Sequence, residues 1–172
     1  LQSEALRLLE NIGAQAHLLT HLQLVGEAAF ELVAALSQFP GLDFDGRLVE
    51  VGAAMHDAGK IVFPAELYGP GAEHEAGGYK LLLRHGVSEP VAKCCISHGN
   101  YRAEGVTFEE RLVALADTIW KGKREHELES MIIDEVAARV SLDKWSVYMQ
   151  LDDAFEAIAS RGDERLERSG SG

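Results

Sequence analysis

The stretch "AAMHDAGK", residues 53–60, ends an apolar helical run on a histidine–aspartate pair and follows it with glycine and lysine. His56 lies at helical spacing from Val49, Gly52 and Ala53, which places it on the apolar face of a helix expected over about 45–57. Gly59 then reads as the cap that ends this helix. A chain with seven His and nine Asp produces such a pair easily by chance, so its meaning rests on its surroundings. On the N-terminal side a longer helix is expected from Ala14 to Gln38, with Leu18, Leu22, Val25, Ala29, Leu32 and Leu36 on its apolar face. "FPGLDFDG" separates the two, because Pro40 and Gly41 disfavour continuation. On the C-terminal side "FPAELYGPG" is a loop or short turn. Helical patterns return over 72–85, 89–98, 107–124, 127–140 and 143–161. Ser88 with Pro90, and Thr107 with Glu110, supply helix-start signals. No alternating strand of five or more residues appears, so the expected fold is all-α, a single helical bundle. One domain is expected over 1–166, with a core at about 14–124, flanking helices at about 127–161 and a flexible tail at 167–172.

Composition narrows the possible partners. The 172 residues are 47% apolar, enough for one proper core. Sixteen basic residues stand against 28 acidic ones, a net charge of −12, with no dense Lys/Arg cluster. Duplex nucleic acid and anionic membranes are therefore poor partners. No apolar run of about 18 residues suggests a membrane span. The opening "LQSEALRLLE" lacks signal-peptide features and a methionine, so a native start is expected to precede it. Cys94 and Cys95 are adjacent and cannot staple distant segments, which fits a reducing cytoplasm.

Each expected helix carries a polar residue where an apolar one is the norm. His21 sits between Leu18 and Val25, His98 follows Val91, Cys94 and Cys95, and Asp117 lies between Val113 and Trp120. His74 opens a helix with Gly77 and Gly78 on its side, small residues that admit close approach of another group. Taken singly, an inward histidine is usually bonded to a backbone carbonyl, and an inward aspartate is usually a cap. Six in one ordered series are another matter. An ionised carboxylate among apolar groups costs several kcal/mol unless paired or metal-bound, and no Lys or Arg shares the apolar side of the Asp117 helix. Convergence on cations would offset that cost. Imidazole with carboxylate suits Fe, Mn, Zn or Co, and the lack of well-spaced cysteines argues against a structural zinc site.

The series His21, His56–Asp57, His74, His98, Asp117 resembles that of the HD superfamily of metal-dependent phosphohydrolases. "HLQLVGEAA" resembles its first-helix motif, "AAMHDAGK" the doublet helix, "HEAGGYKLLLRHG" the third-histidine segment and "EERLVALADTI" the closing Asp helix. The resemblance covers roughly residues 14–124. It implies a helical bundle around a central metal site that hydrolyses a small phosphoester, a nucleotide or phosphorylated metabolite, by a metal-activated hydroxide. It also implies two divalent ions, Fe or Mn first and Zn, Co or Ni next. His21, His56, Asp57 and Asp117 would hold one; Asp57, His74 and His98 the other, with Asp57 bridging. The HD-GYP subgroup carries "HHE" and "GYP", whereas "GNY" follows His98 here, so cyclic-dinucleotide cleavage is not assigned.

Lys60, three residues past Asp57, is the expected proton donor or phosphate contact, catalytic together with Asp57. Lys121 and Arg124, four and seven residues after Asp117, are candidate phosphate contacts at the mouth. His17 is a pocket or supporting residue, Asn100 and Tyr101 touch substrate by adjacency, and His85 and His126 are excluded. Two other functions use the same residues: a mixed-valence di-iron oxygenase cleaving a C–C or C–P bond, and a nucleotide-binding regulatory module. Oligomeric state is left open.

Overall fold

A computed structural model describes residues 1–170. In chain order its helices are α1 (Gln2–Asn11), α2 (Ala16–Leu36), α3 (Gly46–Met55), α4 (Glu73–Arg84), α5 (Glu89–Ser97), α6 (Phe108–Ile119), α7 (His126–Val140), α8 (Lys144–Ala159) and α9 (Gly162–Arg168). Short 3₁₀ turns at Ala58–Ile61 and Pro64–Leu67 join α3 to α4, and no strand occurs among the described residues. The fold is all-α, as expected.

α2 is the axis of the bundle. Its C-terminal half, from Leu24 to Leu36, packs into a cluster with α6, α7 and α8 that includes Leu112, Leu115, Ile132 and Phe155. Its N-terminal half supplies Leu18 and Leu22 to a second cluster with Ala5, Leu9, Met55, Leu82 and Cys95. α3 and α5 also contribute to both clusters, and the polar series occupies the seam between them. Each fully buried leucine contributes about 1.5–3 kcal/mol over an exposed one, against at most about 1 kcal/mol for a surface ion pair. Apolar contact therefore places the helices, and charges adjust their ends. By length and mean hydropathy (1.3) α2 is long and apolar enough to cross a membrane, which corrects the expectation that no such run exists. In this fold it is the core helix, with Glu27 and Glu31 paired to arginines of α9.

Several helix ends differ from the expected ones. α3 stops at Met55, so His56 and Asp57 lie just past its last turn. Gly59 does not cap it but permits close approach: a Cβ there would stand 1.8 Å from the carbonyl oxygen of His74 and 2.7 Å from the amide of Gly78. α6 starts with the expected capping box between Thr107 and Glu110 but ends at Ile119, and Gly122, at φ +85°, turns the chain away. α1 was not foreseen; Ala5 and Leu9 anchor it, and Gln2 donates to the carbonyl of Gly26 at 2.8 Å. α9 replaces part of the expected flexible tail. Its Arg165 is 2% exposed and donates to Glu31 (2.8 Å) and to the carbonyl of Ile158 (2.9 Å). Arg168, expected in that tail, is helical and pairs with Glu27 at 2.6 Å. Residues 171–172 of the expected tail lie outside the described residues.

Candidate metal centre

The polar series converges at helix ends. His56 and His98 are the residues at which α3 and α5 terminate, Asp117 lies in the last turn of α6, His74 in the first turn of α4, and His21 in the second turn of α2. Three helix C-termini thus present the negative ends of their dipoles to one point, which favours a cation there. Asp57 is at the centre, and its two oxygens divide the neighbours. Oδ2 lies 3.2 Å from His21 Nε2 and 3.5 Å from His56 Nε2. Oδ1 lies 3.3 Å from His74 Nε2 and 3.4 Å from His98 Nε2. Asp117 Oδ1 completes the first group, 3.1 Å from His56 and 3.7 Å from His21. Two atoms bound to one first-row ion at about 2.0–2.2 Å stand roughly 3.0–3.5 Å apart, so both groups have the spacing of a shared cation. The buried atoms without a hydrogen-bond partner include His21 Nε2, His56 Nε2 and Asp57 Oδ1, the donors a metal would satisfy.

The far sides of three of the four rings, those of His56, His74 and His98, are already engaged. His56 Nδ1 meets the carbonyl of Ala53 at 2.7 Å, His98 Nδ1 that of Cys94 at 3.0 Å, and His74 Nδ1 the carboxylate of Glu66. A carbonyl or carboxylate can only accept, so Nδ1 carries a proton, and a neutral ring would turn its Nε2 lone pair to the centre. Glu66 was missed in the sequence, where "FPAELYGPG" reads only as a loop. Its sole signal is a carboxylate upstream of a histidine, which is too common to select it.

With no cation the site holds protons instead. Burial opposes charge on His56, but the carboxylates of Asp57 and Asp117 outweigh it and raise the ring to about 9. Burial likewise works against ionised Asp57 and Asp117, yet His56 holds both below the usual carboxylate range, with His21, His74 and His98 assisting at Asp57. His74 is raised by its bond to Asp57, against burial and with help from Glu66. A raised folded-state value stabilises below the unfolded pKa and is lost as pH climbs through the folded one. The metal-free protein should therefore lose stability between pH 6.5 and about 9, while saturating divalent metal should reverse that slope by removing the proton competition. Urea midpoints across this window test it; a metal-free midpoint that rises with pH would contradict it.

Lys60 stands where expected, its Nζ 2.9 Å from Asp57 Oδ2 and its side chain 20% exposed. Arg124 does not. Because α6 ends at Ile119, the helical spacing that aligned Lys121 and Arg124 with Asp117 is broken, and the Arg124 guanidinium is held by Glu129, Asp152 and Glu156 at 2.7 Å each. Lys121 lies exposed in the turn that follows α6. His17 stacks on Tyr68, ring centroids 5.6 Å apart, and Trp120 sets its edge against His21 at 5.2 Å. The Tyr101 hydroxyl is buried without a partner. The cysteines are packing residues: burial pushes both thiols up, Cys95 to about 12, and the Cys95 thiol donates to the carbonyl of Met55. A cavity of about 640 Å³ between α1, α3 and the start of α5 is lined by none of the residues of this centre.

An uncharacterized protein of Methanocaldococcus jannaschii is 28% identical over 144 residues, 75% of this chain and 80% of the relative. No solved structure matches. The HD domain family model matches residues 18–134, a span that contains every residue of the centre, and the chain therefore belongs to the HD domain family.

Proposed function

We propose that the protein is a metal-dependent phosphohydrolase holding two divalent ions, most naturally Fe or Mn with Zn, Co or Ni as alternatives, and acting on a small phosphorylated substrate in a reducing cytoplasm. The observation that carries this reading is the division of Asp57, one oxygen facing His21 and His56 and the other facing His74 and His98. His21, His56, Asp57 and Asp117 would hold one ion, and Asp57, His74 and His98 the other. When bound, such ions supply Lewis acidity toward a phosphoryl oxygen and make water acidic enough to attack near neutral pH.

The protein does the rest. Only two of the six candidate ligand residues are carboxylates, so with neutral imidazoles they would offset only half the charge of two divalent ions and leave the remainder to draw a phosphoryl group. The rings are oriented beforehand by Ala53, Cys94 and Glu66, so no reorganisation is needed during reaction. Lys60 holds its ammonium beside Asp57 Oδ2, placed to bind a non-bridging oxygen or to give a proton to the departing alcohol. Lys60→Ala should keep both ions and slow turnover by about 10² or more. A rate within a few-fold of wild type would remove Lys60 from the reaction.

Elemental analysis of the purified protein, with an EPR spectrum after mild reduction and exposure to air, tests the proposal. Two Mn, Co, Ni or Zn ions, or iron without a mixed-valence signal, together with phosphate release from a substrate panel, are expected. Two irons with a mixed-valence signal and oxygen consumption would overturn it in favour of an oxygenase.

A further inference from the structure

One ring of the centre, His74, is supported differently from its neighbours. His56 and His98 rest Nδ1 on carbonyls of their own helices, three and four residues back, so their ring orientation follows from helix geometry. His56 is fully buried. His74 has no such support. Its helix begins at Glu73 after Ala72, which supplies no side-chain cap. Glu66, in the turn Pro64–Leu67, takes both tasks from eight residues upstream. Its Oε1 accepts from the amide of Glu73 and its Oε2 from the amide of His74, each at 3.1 Å, while Oε2 also holds His74 Nδ1. The loop closes tightly on this carboxylate; a Cβ at Gly71 would stand 2.5 Å from Oε1. Every other support among these rings is a neutral backbone carbonyl, and this one is a charged side chain on a loop.

We propose that Glu66 is a positioning residue that sets the affinity of the His74–His98 half of the centre. The proposal rests on the two-ion reading above. Glu66 acts in two ways: it fixes which nitrogen of His74 faces Asp57, and its charge makes that nitrogen a stronger donor. Loss of such a support typically weakens a metal by about 10–100-fold. The half built on His21, His56 and Asp117 has no contact with Glu66 and should not respond.

Calorimetric titration of metal-free protein with Mn²⁺ separates these roles, comparing wild type, Glu66→Gln, Glu66→Ala and, as the reference for an emptied second half, His74→Ala. Glutamine keeps one side-chain oxygen, enough for the amide and ring of His74, but turns a donor toward the Glu73 amide and loses the charge. Two ions are expected in wild type. In Glu66→Gln the second should bind about 10–100-fold more weakly, the first unchanged, with the metal-free unfolding midpoint lowered by less than in Glu66→Ala. A carboxylate that only caps the helix would instead leave Glu66→Gln with wild-type affinities, and Glu66→Ala with a lowered midpoint alone. That pattern, or equal weakening of both ions, overturns the proposal while leaving two ions in wild type. A single ion in wild type would instead bring down the two-ion reading, and this proposal with it.

Discussion

Asp57→Ala should bind neither ion at concentrations that saturate wild type, and phosphate release should fall by about 10³ or more, the scale of several kcal/mol of lost stabilisation. Every other ligand residue serves one half of the centre; Asp57 alone faces both, through separate oxygens. Its removal also leaves His21, His56, His74, His98 and Lys60 around a space with the Asp117 carboxylate on one side and Glu66 behind His74 to balance them. The bundle itself should survive, because the two apolar clusters do not depend on this side chain. Metal analysis, a helical circular dichroism spectrum and a phosphate-release assay check the three parts together. A variant that still holds one ion tightly would limit Asp57 to one half.

Gly59→Ala should be the most damaging small change in the chain. The added carbon would stand 1.8 Å from the carbonyl oxygen of His74, 2.6 Å from its carbon and 2.7 Å from the amide of Gly78. These are backbone atoms that no rotamer change can move. Relief requires the turn Ala58–Ile61 to separate from α4, which carries His74 away from Asp57. Overpacking of a tight interior contact costs about 1–3 kcal/mol or more, and the top of that range applies where the neighbour is backbone. The expected result is a loss of about 3 kcal/mol in denaturant unfolding together with loss of the second ion. A variant within 1 kcal/mol of wild type and with unchanged metal content would show that this contact yields easily. Gly78→Ala approaches the same seam from the other side, 2.9 Å from the amide of Gly59.

Much of this was legible in the sequence because each part required only its own helix. His21, His56, His98 and Asp117 announce themselves as polar residues at apolar positions of a 3.6-residue period, and that period survives folding unchanged. Glu66 has no period to violate, since its partners depend on how a loop returns to the start of α4. Arg124 looked aligned with Asp117 only while α6 was assumed to continue; the turn at Gly122 and the carboxylates of α8 decide otherwise. α9 was unreadable for a related reason. Seven residues rich in charge, "GDERLER", carry no apolar stripe, and the side chain that anchors them is an arginine whose partner lies 134 residues away.

That anchor joins α9 to the helix at the front of the centre. Arg165 and Arg168 reach from the last helix to Glu31 and Glu27 on α2, the helix that carries the first histidine of the centre. Arg165 also approaches the carbonyl of Trp120, whose ring forms the wall behind His21. Until α9 docks, those glutamates lack these arginine partners and the wall behind His21 lacks its brace. Enclosure of the first histidine of the centre therefore depends on residues far along the chain from it.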